Sequence, residues 1–256
     1  MSQRLAVGTS KATTNTTADT TSLLEADNLS GYQVKQLHII LAGTSHTLAN
    51  VTRITLRAES RPFYDADPWA FRALYGYLGK KAEWATTAVR FTFPFDLMGA
   101  APPPGRLRFD FTKNATPQTG SITTAYTIGN SPQRGYHMFT ATTLGVPASG
   151  SNRPFTFQAP VPGAVLLGFA IEDVANITLL RIYAEGAMIL DCSSYLALTE
   201  YNEQERGATA VAELYIPVRA LPQSRSGYQL EISVGASWAG EANEIVPLWW
   251  IPFGQE

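Results

Sequence analysis

The residues with the chemistry for catalysis or metal binding are few and far apart. Three histidines, His38, His46 and His137, are scattered along the chain. None falls in an H-E-x-x-H pattern or at a His/Cys spacing that would hold zinc, so they read as isolated strand or loop histidines. The sequence has no G-x-S-x-G elbow, no phosphate-binding Gly-rich loop and no dinucleotide-binding glycine pattern. A single cysteine, Cys192, excludes an intrachain disulfide. It stands at an expected helix start, where a thiolate would be favoured, but Asp191 beside it opposes that charge. Four acids recur in matched positions, Glu59 with Glu185 and Asp65 with Asp191. Oxygen-rich loops suit calcium, yet a calcium site needs denser acids than these, so turn and helix-cap chemistry is the better reading. Trp249, Trp250 and Phe253 near the C-terminus are the remaining candidates. Neighbouring strand residues point to opposite faces, so one Trp is expected to face the core and the next a subunit contact. No catalytic, cofactor or metal residues are assigned, and no enzyme activity is expected.

The elements that position these residues come in two copies. Ala49-Asn50-Val51-Thr52 recurs as Ala175-Asn176-Ile177-Thr178, an offset of 126 residues (175 less 49). The same offset relates Ile54 to Leu180, Leu56 to Ile182, Ala58-Glu59 to Ala184-Glu185, and Trp69 to Tyr195. It also places Ile39-Ile40-Leu41 on Val165-Leu166-Leu167, with no gap expected from residue 38 to about 77. A period this long is the size of a small domain, not of a solenoid repeat.

Each copy reads strand, strand, helix, strand, strand, strand. In the first, strands are expected at Val34 to Leu41, Val51 to Glu59, Thr86 to Phe95, Leu107 to Phe111 and Ile122 to Ile128, from β-branched and aromatic residues in alternation. The helix is expected from Pro68 to about Tyr77, with Asp67 as its N-cap, Pro68 at the first position, and Phe71, Leu74, Tyr75 and Leu78 on one face. In the second copy Ser193 is the matching cap, with a helix from Ser194 to about Glu203. Strands are expected at Phe155 to Ala170, Ile177 to Leu190, Ala208 to Val218, Tyr228 to Val234 and Ile245 to Ile251. The domain reading is a flexible N-terminal arm over 1–30, a first unit over 31–132, a Gly/Pro-rich linker over 133–154 with a short helical piece near Tyr136 to Thr143, and a second unit over 155–256. Pro/Gly turns between strands without alternating helices argue an antiparallel sandwich.

Apolar residues make up 45% of the chain, which supports a packed core, and charged residues only 16%, which implies a surface partly covered by partners. The net charge is −2, with no basic stripe, so direct nucleic-acid binding has no electrostatic basis. No apolar run reaches the roughly 18 residues of a membrane-spanning helix, and residues 1–10 show no secretory h-region.

The repeated blocks Asn50 to Glu59 and Asn176 to Glu185, the helices after Asp67 and Ser193, and the strands ending at Phe93-Pro94 and Ile216-Pro217 resemble the double jelly-roll major capsid proteins of tailless icosahedral viruses. The likeness is to the compact, corticovirus-like type found in bacteriophage, over roughly residues 31–254. The resemblance implies an all-β fold of two tandem eight-stranded antiparallel jelly rolls, each with one short inserted helix. It implies a homotrimer whose six rolls form a pseudo-hexagonal capsomer of an icosahedral virion, commonly over an internal membrane. The implied partners are neighbouring capsomers, minor capsid or penton proteins and the membrane. The implied location is the virion, after assembly in the host cytoplasm. No cofactor is implied. The alternative is a secreted double-jelly-roll glycan amidase or a carbohydrate-binding protein.

Overall fold

Strands dominate the chain because Thr, Val, Ile, Phe and Tyr recur in runs with period two, broken by Gly, Pro and Asn. The computed structural model describes residues 4–15, 19–22, 33–44, 47–79, 81–95, 100, 102–103, 106–114, 118–129, 134–143, 153–172, 176–192, 213–218, 227–235 and 244–254. The first half holds β1 (Arg4–Asn15), β2 (Asp19–Ser22), β3 (Gln33–Thr44), β4 (Val51–Ala58) and β5 (Arg61–Ala66). Helix α1 (Pro68–Tyr77) follows, then β6 (Arg90–Pro94), β7 (Leu107–Lys113) and β8 (Gln118–Gly129). The second half holds β9 (Gly135–Thr140), β10 (Thr142–Thr143), β11 (Arg153–Phe157), β12 (Val165–Glu172) and β13 (Ile177–Ala184). It ends with β14 (Ala187–Cys192), β15 (Glu213–Pro217), β16 (Tyr228–Val234) and β17 (Glu244–Pro252). The fold is an all-β jelly-roll type, with α1 the one α-helix among the described residues.

Strand order shows how the two halves relate. One sheet runs β1-β8-β3-β6, a second runs β11-β16-β13-β14, and a long sheet runs β15-β12-β17-β9-β5-β4-β7-β2. The long sheet, with β10 added beside β17, therefore joins four strands of the first half to five of the second, through a parallel pair, β5 with β9. Every other pairing is antiparallel, and each recurs. The β4–β5 hairpin pairs Ile54 with Ala66 and Leu56 with Tyr64, then slips one residue to Arg57–Pro62. The β13–β14 hairpin pairs Leu180 with Cys192 and Ile182 with Leu190, then slips at the same place to Tyr183–Met188. Glu59 (φ 53°) and Glu185 (φ 49°) are the only positive-φ non-glycine residues described. Each opens the two-residue turn of its hairpin, where the twist of the strands calls for positive φ.

The offset is not uniform. It is 126 for these hairpins, but β7 and β8 map onto β16 and β17 at 121 (228 less 107, and 248 less 127). Strand β3 maps onto β12 at 132 (168 less 36), because Gln36 faces Pro94 and Thr127 as Gly168 faces Pro217 and Leu248. The ungapped match of Ile39-Ile40-Leu41 to Val165-Leu166-Leu167 is thus corrected: a longer connection before β4 moves the register by six, and the true counterparts of Leu37 and Ile39 are Phe169 and Ile171.

Four further expectations change. The stretch taken as a flexible arm holds β1 and β2, which pair with β8 and β7. Its Thr content, read as disorder, is also good strand composition once an edge is there to pair with. The helical piece expected near Tyr136 to Thr143 is instead β9 and β10, because β17 on one side and β5 on the other offer backbone partners. Two expected strands are each two: Phe155 to Ala170 is β11 and β12, in different sheets, and Ile177 to Leu190 is the β13–β14 hairpin, turned at Glu185-Gly186. Ser193 and the helix expected after it lie outside the described residues.

The core of the first half is aromatic. Trp84 stacks on Phe71 and Tyr75 at 5.0 Å each and meets Phe93 edge-on at 5.0 Å. Phe93 in turn meets Phe109 and Tyr64, joining the two facing layers. In the second half Phe157 meets Phe169, and Tyr228 meets Trp249. Trp84 is fully buried and its indole N–H donates to the Thr92 carbonyl. Trp84→Ala therefore removes a large buried ring and orphans that carbonyl, and should lower stability by about 3–5 kcal/mol in urea unfolding. A loss under about 1 kcal/mol would mean the stack is not the keystone of this half.

Candidate assembly surface

Burial governs the groups that could do chemistry. His38 is held between Thr92 (3.0 Å) and Thr127 (3.3 Å). Burial, then Arg90, lowers its pKa despite Glu83, so it stays neutral at pH 7. His137 on β9 is buried and its Nε2 has no hydrogen-bond partner. Desolvation takes its pKa down to about 4. Cys192 is buried, and burial with Asp191 pushes its thiol up to about 11, the reverse of an activated nucleophile. His46 lies outside the described residues. The repeated acids serve structure. Glu59 Oε1 accepts from the Arg106 backbone N–H at 2.7 Å across its turn. Asp191 pairs with Arg181 directly across the hairpin at 2.9 Å. Among the described residues no group of three or more His, Cys, Asp or Glu is placed to share a metal ion.

The seam between the halves is the most built part of the molecule. Strand β5 meets β9 with Tyr64 opposite Phe139 and Asp65 opposite Thr140. The pairing continues with the Ala141 N–H donating to the Asp65 carbonyl at 2.8 Å. Helix α1 leaves β5 and lies against β12 and β15 of the second half. Seven of its ten residues are buried, Pro68, Trp69, Ala70, Phe71, Ala73, Leu74 and Tyr75, because it has core on both sides. Arg72 pairs with Glu213 at 3.0 Å, and Tyr77 packs on Tyr215 at 5.0 Å. Gly168 makes room for this arrangement, since a Cβ there would come within 2.5 Å of the Tyr215 hydroxyl. The helix ends as expected at Gly79, in the left-handed region at φ 74°.

Asp67 stands at the N-cap position with an extended backbone, but its side chain makes no capping bond. Its carboxylate is taken by Arg53 at 3.2 Å, a contact in which both partners are charged, whereas a cap bond would offer it only a neutral backbone N–H. Arg53 also holds Asp65 at 2.9 Å and Glu244, the first residue of β17, at 3.2 Å. Burial disfavours its charge, yet Asp65, Glu244 and Asp67 outweigh that and hold its pKa above the ordinary value. One guanidinium thus binds β4, the β5–α1 junction and the second half.

The C-terminal aromatics divide as strand alternation demands, with one correction. Trp249 is 3% exposed and packs on Tyr228 inside the chain, so it offers nothing to a neighbour. Trp250 is half-buried on the opposite face of β17, and Phe253 is half-buried against Tyr136 at 6.0 Å. The residues that sequence reasoning missed are Arg53, Arg72, Glu213 and Glu244, which carry no repeat signal because they join unlike positions. His137 titrates below its unfolded value near 6.5, so as pH falls the unfolded chain takes up the proton first. Its contribution is therefore complete above pH 6.5 and lost progressively toward pH 4, by about 3 kcal/mol at most. Urea unfolding across that range should show a steeper acid loss in the wild type than in His137→Gln, and equal slopes would refute the assignment.

No protein-family model and no curated protein matches this sequence. The fold, however, matches solved structures along its whole length. The major capsid protein P2 from bacteriophage PM2 superposes with a TM-score of 0.71 at 9% identity, covering 100% of both chains. The STIV major capsid protein superposes with a TM-score of 0.67 at 12% identity, covering 98% of this chain and 96% of that one. Tandem carbohydrate-binding modules from a family 98 glycoside hydrolase of Streptococcus pneumoniae reach a TM-score of only 0.25 at 11% identity, over 94% of this chain and 83% of theirs, too weak to bear on function. The chain has the fold of the double jelly-roll major capsid proteins.

Proposed function

We propose that this chain is a major capsid protein, built of two eight-stranded jelly rolls and assembling as a homotrimeric, pseudo-hexagonal capsomer. The first roll comprises β1–β8, and the second β9–β17, with β9 and β10 as one interrupted strand. The boundary between them falls near residue 130, and the tie between them is the seam rather than a free linker. The observation that carries the reading is the twice-repeated pairing diagram, together with a full-length fold match to a phage major capsid protein. Two similar wedges per chain let three chains fill a six-sided lattice position. Trp250 and Phe253 are the aromatics left for a neighbour.

The setting that fits is an icosahedral virion with an internal membrane, assembled in the host cytoplasm. Neighbouring capsomers, minor capsid or penton proteins and the membrane are the partners, with no direct contact to nucleic acid. The amidase alternative needs free acids between the two rolls. The acids described there are held by arginines, Asp65, Asp67 and Glu244 by Arg53 and Glu213 by Arg72, which makes clamps rather than an acid–base pair.

Light scattering across a dilution series tests the proposal. It should give three chain masses or a larger assembly, with contacts above roughly 2,000 Å² per subunit pair in any later structure of the complex. A monomer at every concentration would overturn the capsid reading.

A further inference from the structure

The seam inside the chain has two surfaces, and each has a counterpart on the outside. Strand β5 contributes one edge of the internal seam; its counterpart by register is β14. Among the described residues β14 ends its sheet, with no strand beyond it. It leaves Met188 52% exposed and Ile189 and Leu190 only half-buried. Strand β9 contributes the other edge. Its counterpart is β1, because Arg4 and Leu5 face Ile128 and Thr127 of β8 as Met138 and Phe139 face Trp249 and Leu248 of β17. Among the described residues β1 also ends its sheet. One half of each chain thus has its β5-type edge covered and its β9-type edge open, and the other half the reverse.

Among the described residues, the face beside the β1 edge shows the same vacancy. On the second half, α1 covers the outer side of β12 and β15, leaving Ala170 and Tyr215 almost fully buried. Their counterparts on the first half are His38 and Thr92, by the shared register of β3 with β6 and β12 with β15; both are buried as well, though less completely. There the outer side holds an open cleft of about 450 Å³, lined by Gln36, His38, Glu83, Arg90, Thr92 and Pro94. A neighbour docked as the first half docks on the second would cover it.

We propose that the occupant of both surfaces is a second copy of this chain, whose β14 adds in parallel to the β1 edge, reproducing the β5–β9 seam between subunits. The register follows from the internal pair: Leu190 opposite Leu5, and Asp191 opposite Ala6, with the Val7 N–H donating to the Asp191 carbonyl as Ala141 does to Asp65. This contact is heterologous, so each copy offers one edge and accepts the other, and the copies close into a ring or extend. Strand addition to an open sheet edge supplies the affinity through backbone hydrogen bonds, and the apolar β14 edge supplies burial. The proposal rests on the capsomer reading and gives its strand-level geometry: the halves around the ring meet through one kind of junction, alternately within and between chains.

Cysteine cross-linking of the full chain tests it. Leu5→Cys with Leu190→Cys is made in a Cys192→Ala background, which gives β14 the residue β5 already carries at Ala66. Mild oxidation should yield covalent dimers and trimers on non-reducing gels, and either cysteine alone should yield none. The pair Leu5→Cys with Ala187→Cys, three residues and roughly 10 Å out of register, should fail to cross-link. Light scattering on the reduced proteins separates the two claims. A trimer that does not cross-link at Leu5 and Leu190 overturns the strand pairing and leaves the capsomer standing, whereas a monomer that never cross-links overturns both.

Discussion

A β-strand at the edge of a sheet carries a row of backbone N–H and C=O groups that must find partners, and the architecture of this chain is organised by where those edges fall. A sandwich closes its faces but not its ends. Here one pair of ends is closed within the chain by the parallel β5–β9 junction, which fuses half of one sandwich to half of the other in a single sheet. The rest of the seam follows from that junction. Asp65 and Asp67 leave β5 beside Arg53, which reaches Glu244 across the join, and α1 is delivered directly onto β12 and β15. A helix in that position has core on both sides, which is why its apolar residues exceed one stripe.

The halves share a plan but have diverged where they face outward. The buried positions of the matched hairpins stay apolar: Ile54 and Leu180, Leu56 and Ile182, Ala66 and Cys192. The outward positions do not. Arg57 and Arg108 flank Asp110 on the first half, where the second half has Tyr183 hydrogen-bonded to Glu231, with Gln229 beside it. Core packing constrains both copies alike, because a core residue touches many others, whereas a surface position answers only to its own neighbours. On the proposed capsomer reading, two rolls that kept one core and acquired two surfaces would occupy alternating places in one ring.

That divergence also explains what the sequence disclosed. The repeat was legible at Asn50 to Glu59 because the hairpin fixes both the core side and a positive-φ turn residue, so Glu59 and Glu185 report the same geometry. The α1 span was legible from Asp67, Pro68 and Gly79, since helix starts and stops rest on local backbone chemistry. Strand β3 was found, but its counterpart was misplaced by six residues, because an apolar run such as Val165 to Ile171 offers several equally good alignments. Strands β1 and β2 have no sequence signal that separates them from an arm, because Thr-rich segments look alike whether disordered or paired. Only the open edges of β8 and β7 decide between those states. The Asp67 cap failed for a long-range reason, since Arg53 lies fourteen positions away (67 less 53) and no local rule foresees its claim on that carboxylate.

Backbone hydrogen exchange on β5 and β14 in the same molecule reports most directly on the central claim, that one strand junction is used both within and between chains. In dilute, dissociated protein the outward amides of β5 should exchange slowly and those of β14 quickly, since among the described residues only β5 has a partner strand on its outward side, β9, while β14 is paired on its inner side alone. On assembly β14 and the outer amides of β1 should slow toward the rate of β5 and β9. Rapid exchange of β14 and β1 in both states, with assembly otherwise intact, would contradict the account.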